Sequence, residues 1–131
     1  MAGLVPYLLF PGNAREALTR YRDIFGGELE LASYAEFGRD DGPADAIAHG
    51  ALTGAVSLFA ADAAGDDATF EMVGGMFSLL GTADAPTLEA WFDALADDGE
   101  VLDALQRRTW GDHDGQVRDR FGVHWLIGYQ P

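Results

Sequence analysis

The chain has 131 residues, 48% hydrophobic and 23% charged, a size and make-up that suit a single folded domain with a buried core and exclude a disordered or fibrous chain. Its 22 acidic residues oppose 8 basic ones, all arginine, and the formal net charge of −14 repels phosphate backbones and anionic lipid heads, so neither nucleic acid nor membrane is expected as a partner. The absence of cysteine excludes disulfides, thiolate nucleophiles, zinc–thiolate sites and iron–sulfur clusters.

The opening MAGLVPYLLFPGN has no basic n-region, and its apolar run is interrupted by Pro6 and Pro11. No segment reaches the ~18 consecutive apolar residues of a membrane span, so a cytoplasmic protein is expected. Leu4 to Phe10 predicts a short buried strand, closed by Pro-Gly-Asn, with Asn13 placed to cap a helix. In AREALTRYRDIFGG the apolar residues Ala14, Ala17, Leu18, Tyr21, Ile24 and Phe25 recur at three and four, and Gly26-Gly27 supplies the stop. ELELASYAEFG, DAIAHGAL and AVSLFAAD then predict three strands, the last two joined at Thr53-Gly54.

AADAAGDDATFEMVGG links this β-α-β-β-β module to a second one of the same order. Leu88, Trp91 and Leu95 each lie 70 positions after Leu18, Tyr21 and Phe25, and Leu80 stands 70 after Phe10. At the closing hairpins the separation is 68, from Gly54 to Gly122 and from Leu58 to Leu126. A single module whose helix covers one sheet face leaves the other bare. Two such modules, about 4–62 and 74–130, are therefore expected to close around a shared concave interior as one α+β domain spanning 1–131.

This repeat, with PYLLFPGNAREALTRYRDIFGG near the start and TWGDHDGQVRDRFGVHWLIGY at the end, resembles the vicinal oxygen chelate superfamily, the glyoxalase, bleomycin-resistance and extradiol-dioxygenase fold. The match is best with its PhnB-like branch, through the Pro-Tyr-Leu first strand, the Tyr-x-x-x-Phe-Gly-Gly helix end, and Trp-Gly ahead of Asp-x-Phe-Gly-Val-x-Trp. The resemblance implies two βαβββ modules forming an open barrel with helices outside, and pairing of two copies as a homodimer. Metalloenzymes of the superfamily place His, Glu or Gln on the first and last strand of each module. Counting from Tyr21, Asp119 and Gly122 puts those places at Pro6, Leu58, Met76 and Leu126, none of which offers a donor to a divalent cation. No metal and no cofactor is expected, and no glycine-rich cofactor loop follows a strand.

The polar candidates are His49, His124 and Glu36. With a two-residue loop at Thr53-Gly54, His49 lies across from Leu58 on the ligand-bearing face, whereas a bulge would turn it away. It stands evenly between a pocket residue and a core histidine bonded to backbone. His124 shares the parity of Leu126 and approaches Asp119 if that hairpin loop has two residues, but not if it has three with a bulge. Asp119 and Gly122 read as turn residues, and His113, between two aspartates, reads as solvated. Tyr7, Phe77, Trp91, Phe92, Trp125 and Tyr129 are assigned to sheet–helix packing, and Phe59 is left open.

Two functions follow. The first is metal-free binding of a small molecule in a largely apolar cavity lined by Phe10, His49, Leu58, Trp110, His124 and Leu126, serving sequestration or resistance. The second is a lyase, isomerase or hydrolase using His49 or His124 as acid/base, with Glu36 as carboxylate partner.

Overall fold

The computed structural model describes residues 3–131 and divides them into two units, one ending at Phe70 and the other beginning at Glu71. Each unit carries the same order of elements. The first holds β1 (Tyr7–Phe10), α1 (Ala14–Phe25), β2 (Glu28–Ser33), β3 (Ile47–Thr53) and β4 (Leu58–Asp62); the second holds β5 (Phe77–Leu80), α2 (Ala85–Ala96), β6 (Glu100–Arg107), β7 (His113–Arg118) and β8 (His124–Tyr129). The sheets run β1-β4-β3-β2 and β5-β8-β7-β6, each with one parallel pair, β1 with β4 and β5 with β8, and antiparallel neighbours elsewhere. This is the α+β architecture that the repeat implies.

The amphipathic spacing decides what each helix buries. α1 sets Ala14, Ala17, Leu18, Tyr21 and Phe25 into the core of its unit, and α2 does the same with Leu88, Trp91, Phe92 and Leu95. The helix positions matched in the sequence therefore do share a role. α1 stops at Gly26, whose N–H bonds the Arg22 carbonyl at 2.7 Å. The chain then turns through Gly27 at φ 101°, where any Cβ would strike the Thr53 carbonyl, so glycine alone permits this approach of helix exit to hairpin.

The strand positions matched in the sequence do not share a role. Leu8 and Phe10 on β1, and Leu58, Ala60 and Asp62 on β4, are buried against α1, while the intervening Tyr7, Leu9 and Phe59 face away from it. In the second unit Leu79, Trp125 and Ile127 take the helix side, leaving Leu80 52% exposed. Phe10 and Leu80, and likewise Leu58 and Leu126, thus stand on opposite faces of their sheets. Leu52 pairs with Leu58, so the loop expected to have two residues, Thr53-Gly54, has five, 53–57. In a sheet every one-residue slip exchanges the faces.

A polar group anchors each unit. Asp62, buried at the end of β4, accepts the Ala14 N–H of α1 at 2.9 Å and the Ile47 N–H of β3 at 2.8 Å, while its own carbonyl accepts the Tyr34 hydroxyl at 2.7 Å. In the second unit buried Asp119 accepts the N–H groups of Phe121 and Val123 through Oδ1 and the Trp125 indole N–H through Oδ2, all within 3.0 Å. The turn role read for Asp119 is the one it performs.

Candidate functional site

Each sheet has one face packed on its helix and one without a helix, and the two helix-free faces differ in chemistry. On the first, β1, β3 and β4 bring together Tyr7, His49 and Phe59. His49 sits one position before Gly50, which pairs with Ala60, so it lies beside Ala61 and shares the side of Phe59 rather than that of Leu58. The Tyr7 hydroxyl is 3.0 Å from His49 Nδ1, and the rings of His49 and Phe59 meet edge to face with centroids 5.6 Å apart. Tyr7 is also 6.4 Å from Phe59, edge to face. Tyr7 remains 48% exposed and Leu9 39%, so aromatic and aliphatic surface is presented where no helix covers it. Burial pushes the Tyr7 phenol above its ordinary value of 10.0, against the lowering field of the Arg39 guanidinium, so the hydroxyl keeps its proton at neutral pH.

The second helix-free face is polar. Arg108 donates to Asp114 Oδ1 at 2.7 Å and also pairs with Asp103, and these hydrogen bonds, that to Asp114 first, hold its guanidinium above the usual arginine value. His124 Nε2 lies 2.9 Å from Gln116 Oε1, and its backbone N–H points at the Met72 sulfur at 3.5 Å. Burial draws the His124 imidazole below its ordinary value of 6.5, and the positive field of Arg118 adds to the effect. His124 is thus held neutral, donating through Nε2 to the amide oxygen. Leu126 lies on this face, half-buried, beside Ser78 and Gln116.

Several residues chosen from the sequence lie elsewhere. Phe10 and Leu58 are core residues on the helix side, Phe10 packing edge to face on Phe70 at 5.0 Å, so neither lines an open surface. Trp110, 68% exposed, stands in the turn between β6 and β7. Glu36 is engaged by Ser33, accepting from its N–H at 3.3 Å and its hydroxyl at 3.1 Å, and meets neither histidine. Asp119 does not meet His124 either: its N–H bonds the Val123 carbonyl at 2.9 Å around a three-residue loop with Gly122 at φ 88°, which turns Asp119 toward Trp125 and His124 toward Arg118. His113 is half-buried rather than solvated, its ring stacked on Tyr129 at 4.7 Å. Tyr7 and Phe59 were missed, and β1, apolar at all four positions, offers no alternation from which to read a face. The one available signal was the phenol of Tyr7, which a core position must supply with a partner.

The profile of the Glyoxalase/Bleomycin resistance protein/Dioxygenase superfamily matches residues 3–127. The chain belongs to this superfamily. Protein YjdN of Escherichia coli (strain K12) is 29% identical to it over 139 residues, 95% of this chain and 92% of YjdN. The crystal structure of protein PA1353 from Pseudomonas aeruginosa aligns with a TM-score of 0.81 at 33% identity, covering 99% of this chain and 98% of that one. A PhnB protein from Bacillus cereus, at 21% identity, shares the fold with a TM-score of 0.79 over 98% of this chain and 99% of its own.

Membership in this superfamily raises the question of a divalent cation on the first and last strands. The places expected from sequence need correcting on β4, where Phe59 and not Leu58 faces away from the helix. The helix-free positions of β1 and β4 are Tyr7, Leu9, Phe59 and Ala61; those of β5 and β8 include Ser78, Leu80, His124 and Leu126. One imidazole and two hydroxyls do not make the three or four carboxylate, imidazole or thiolate donors that such a cation needs. Among the described residues no group of three or more His, Cys, Asp or Glu side chains gathers. The donor set does not fit the metal, and no chemical step is routed through one. Among the described residues no helix is long and apolar enough to cross a membrane.

Proposed function

We propose that this superfamily member is a small-molecule-binding protein whose ligand lies flat against the helix-free face of the first sheet, over Tyr7, His49 and Phe59, and is held there without turnover, as sequestration requires. One observation carries the reading: three mutually packed rings, one of them half exposed, occupy a sheet face that no helix covers. An aromatic surface left to water is unfavourable by about 25 cal/mol per Å² unless something covers it, and a planar ligand can stack on one ring while meeting the edge of the next. His49 on the first sheet, and His124 and Leu126 together on the last strand of the second, keep their places among the ligand-binding candidates. Phe10 and Leu58 give way to Tyr7 and Phe59.

A catalytic role has less support. General acid/base work needs a histidine whose partner orients it and offsets its charge. The carboxylates considered for that role, Glu36 and Asp119, are both committed to backbone and side-chain bonds of their own.

Thermal-shift screening of uncharged fused-ring aromatic fragments, followed by calorimetry on the hits, tests the proposal. Binding at a hundredfold excess over Kd stabilises the native protein by about 2.7 kcal/mol. Phe59→Ala is expected to weaken the hits by roughly 10- to 100-fold, the transfer value of the lost ring. Hits that bind native protein, Phe59→Ala and His49→Ala equally would place the ligand elsewhere and overturn the proposal.

A further inference from the structure

The chemistry of the Tyr7–His49 contact narrows the ligand, on the reading that the ligand lies over this face. Tyr7 Oη and His49 Nδ1 are 3.0 Å apart, so one of them donates. Of the two arrangements, O–H···N is the stronger, because the imidazole nitrogen is a better acceptor than a phenol oxygen and the phenol a better donor than the neutral ring N–H. A protonated Tyr7 therefore fixes His49 as the tautomer with its proton on Nε2. Among the described residues Nε2 has no hydrogen-bond partner, and it is not sealed from solvent. The face thus offers one fixed donor beside the rings of Tyr7 and Phe59.

We infer that this site selects planar, uncharged ligands that present a hydrogen-bond acceptor, such as a ring carbonyl, to His49 Nε2–H. The acceptor is required because a ligand without one would cover Nε2–H and leave it unsatisfied. The absence of charge follows from the surroundings. Glu30, one strand over beside Ala51, borders the same face, and the formal net charge of −14 sets a repulsive field for any carboxylate ligand. Among the described residues the one cation acting on Tyr7, Arg39, is already paired to Asp41 by two bonds of 3.0 and 2.7 Å. A cationic ligand would meet Nε2–H with the wrong polarity.

Three probes on the same fused two-ring frame separate the possibilities: isoquinolin-1-one, which has a carbonyl and no charge; naphthalene, which has neither; and 1-naphthoate, an anion. Calorimetry should rank isoquinolin-1-one about tenfold tighter than naphthalene, the free energy of one hydrogen bond, with 1-naphthoate weakest. Nitrogen-15 spectra of the His49 side chain should show Nε2 protonated and Nδ1 unprotonated, with Nε2 alone shifted strongly by isoquinolin-1-one. Tyr7→Phe should lose the fixed tautomer and compress the ranking, and His49→Phe should abolish it.

Equal binding of isoquinolin-1-one and naphthalene, with both displaced by Phe59→Ala, would overturn the acceptor rule while leaving the binding face intact. Tightest binding of 1-naphthoate, or a proton found on Nδ1, would overturn it as well. Failure of all three probes to bind, or binding indifferent to Phe59→Ala, would remove the binding face and the acceptor rule together.

Discussion

Buried Asp119 gathers three donors from three different residues, two backbone amides and the Trp125 indole. Each buried donor left without a partner costs about 1–3 kcal/mol, so Asp119→Ala should destabilise the protein by roughly 3–5 kcal/mol, read as a lowered urea midpoint. A loss below about 1 kcal/mol would mean that water replaces the carboxylate. His124 gives a pH signature. Because its folded-state value lies below 6.5, the unfolded chain binds the proton first, so stability is complete above pH 6.5 and falls as pH drops from there toward the folded-state value. Melting curves across about pH 5 to 8 should show this slope in the native protein, and His124→Gln should flatten it.

At the level of elements, the two helices begin differently. Asp84 caps α2 from its own side chain, accepting the Thr87 N–H at 2.9 Å, which also holds its carboxyl below the ordinary 3.8, and Pro86 follows in the first turn. Asn13 stands at the same place before α1 but makes no side-chain cap bond, and its Oδ1 is buried without a partner among the described residues. Asp84→Ala should therefore cost about 1 kcal/mol, the usual value of a cap, while Asn13→Ala should be close to neutral; calorimetric melting of the two variants compares them. Both helices were legible in the sequence because twelve residues at a 3.6 period overdetermine a face. The strands were legible as strands but not as faces. β1 and β5 have four residues each, β1 is apolar throughout, and the register of β3 with β4 depends on a five-residue loop whose length no local pattern announces. Phe10 and Leu58 are core residues and Tyr7 and Phe59 face away from the helix, while His49, which a two-residue loop would have set across from Leu58, lies beside Ala61 on the side of Phe59.

For the whole molecule, a formal net charge of −14 on 131 residues implies self-repulsion in the folded state. Raising sodium chloride from about 10 mM to about 150 mM shortens the Debye length from roughly 30 to 8 Å, and the melting temperature should rise with it; a fall would show that local ion pairs such as Arg108 with Asp114 outweigh the global repulsion. The two units also differ in when their helices can be secured. α2 has its anchor one residue upstream, at Asp84, so it can nucleate as soon as its own segment exists. The matching anchor of α1 is Asp62, 48 residues downstream of Ala14. During synthesis from the N-terminus, the first helix leaves the ribosome with its Ala14 amide unclaimed until the fourth strand follows. The first helix is thus the one whose N-terminal bond waits on translation of that intervening stretch, which lengthens its exposure to proteases and aggregation.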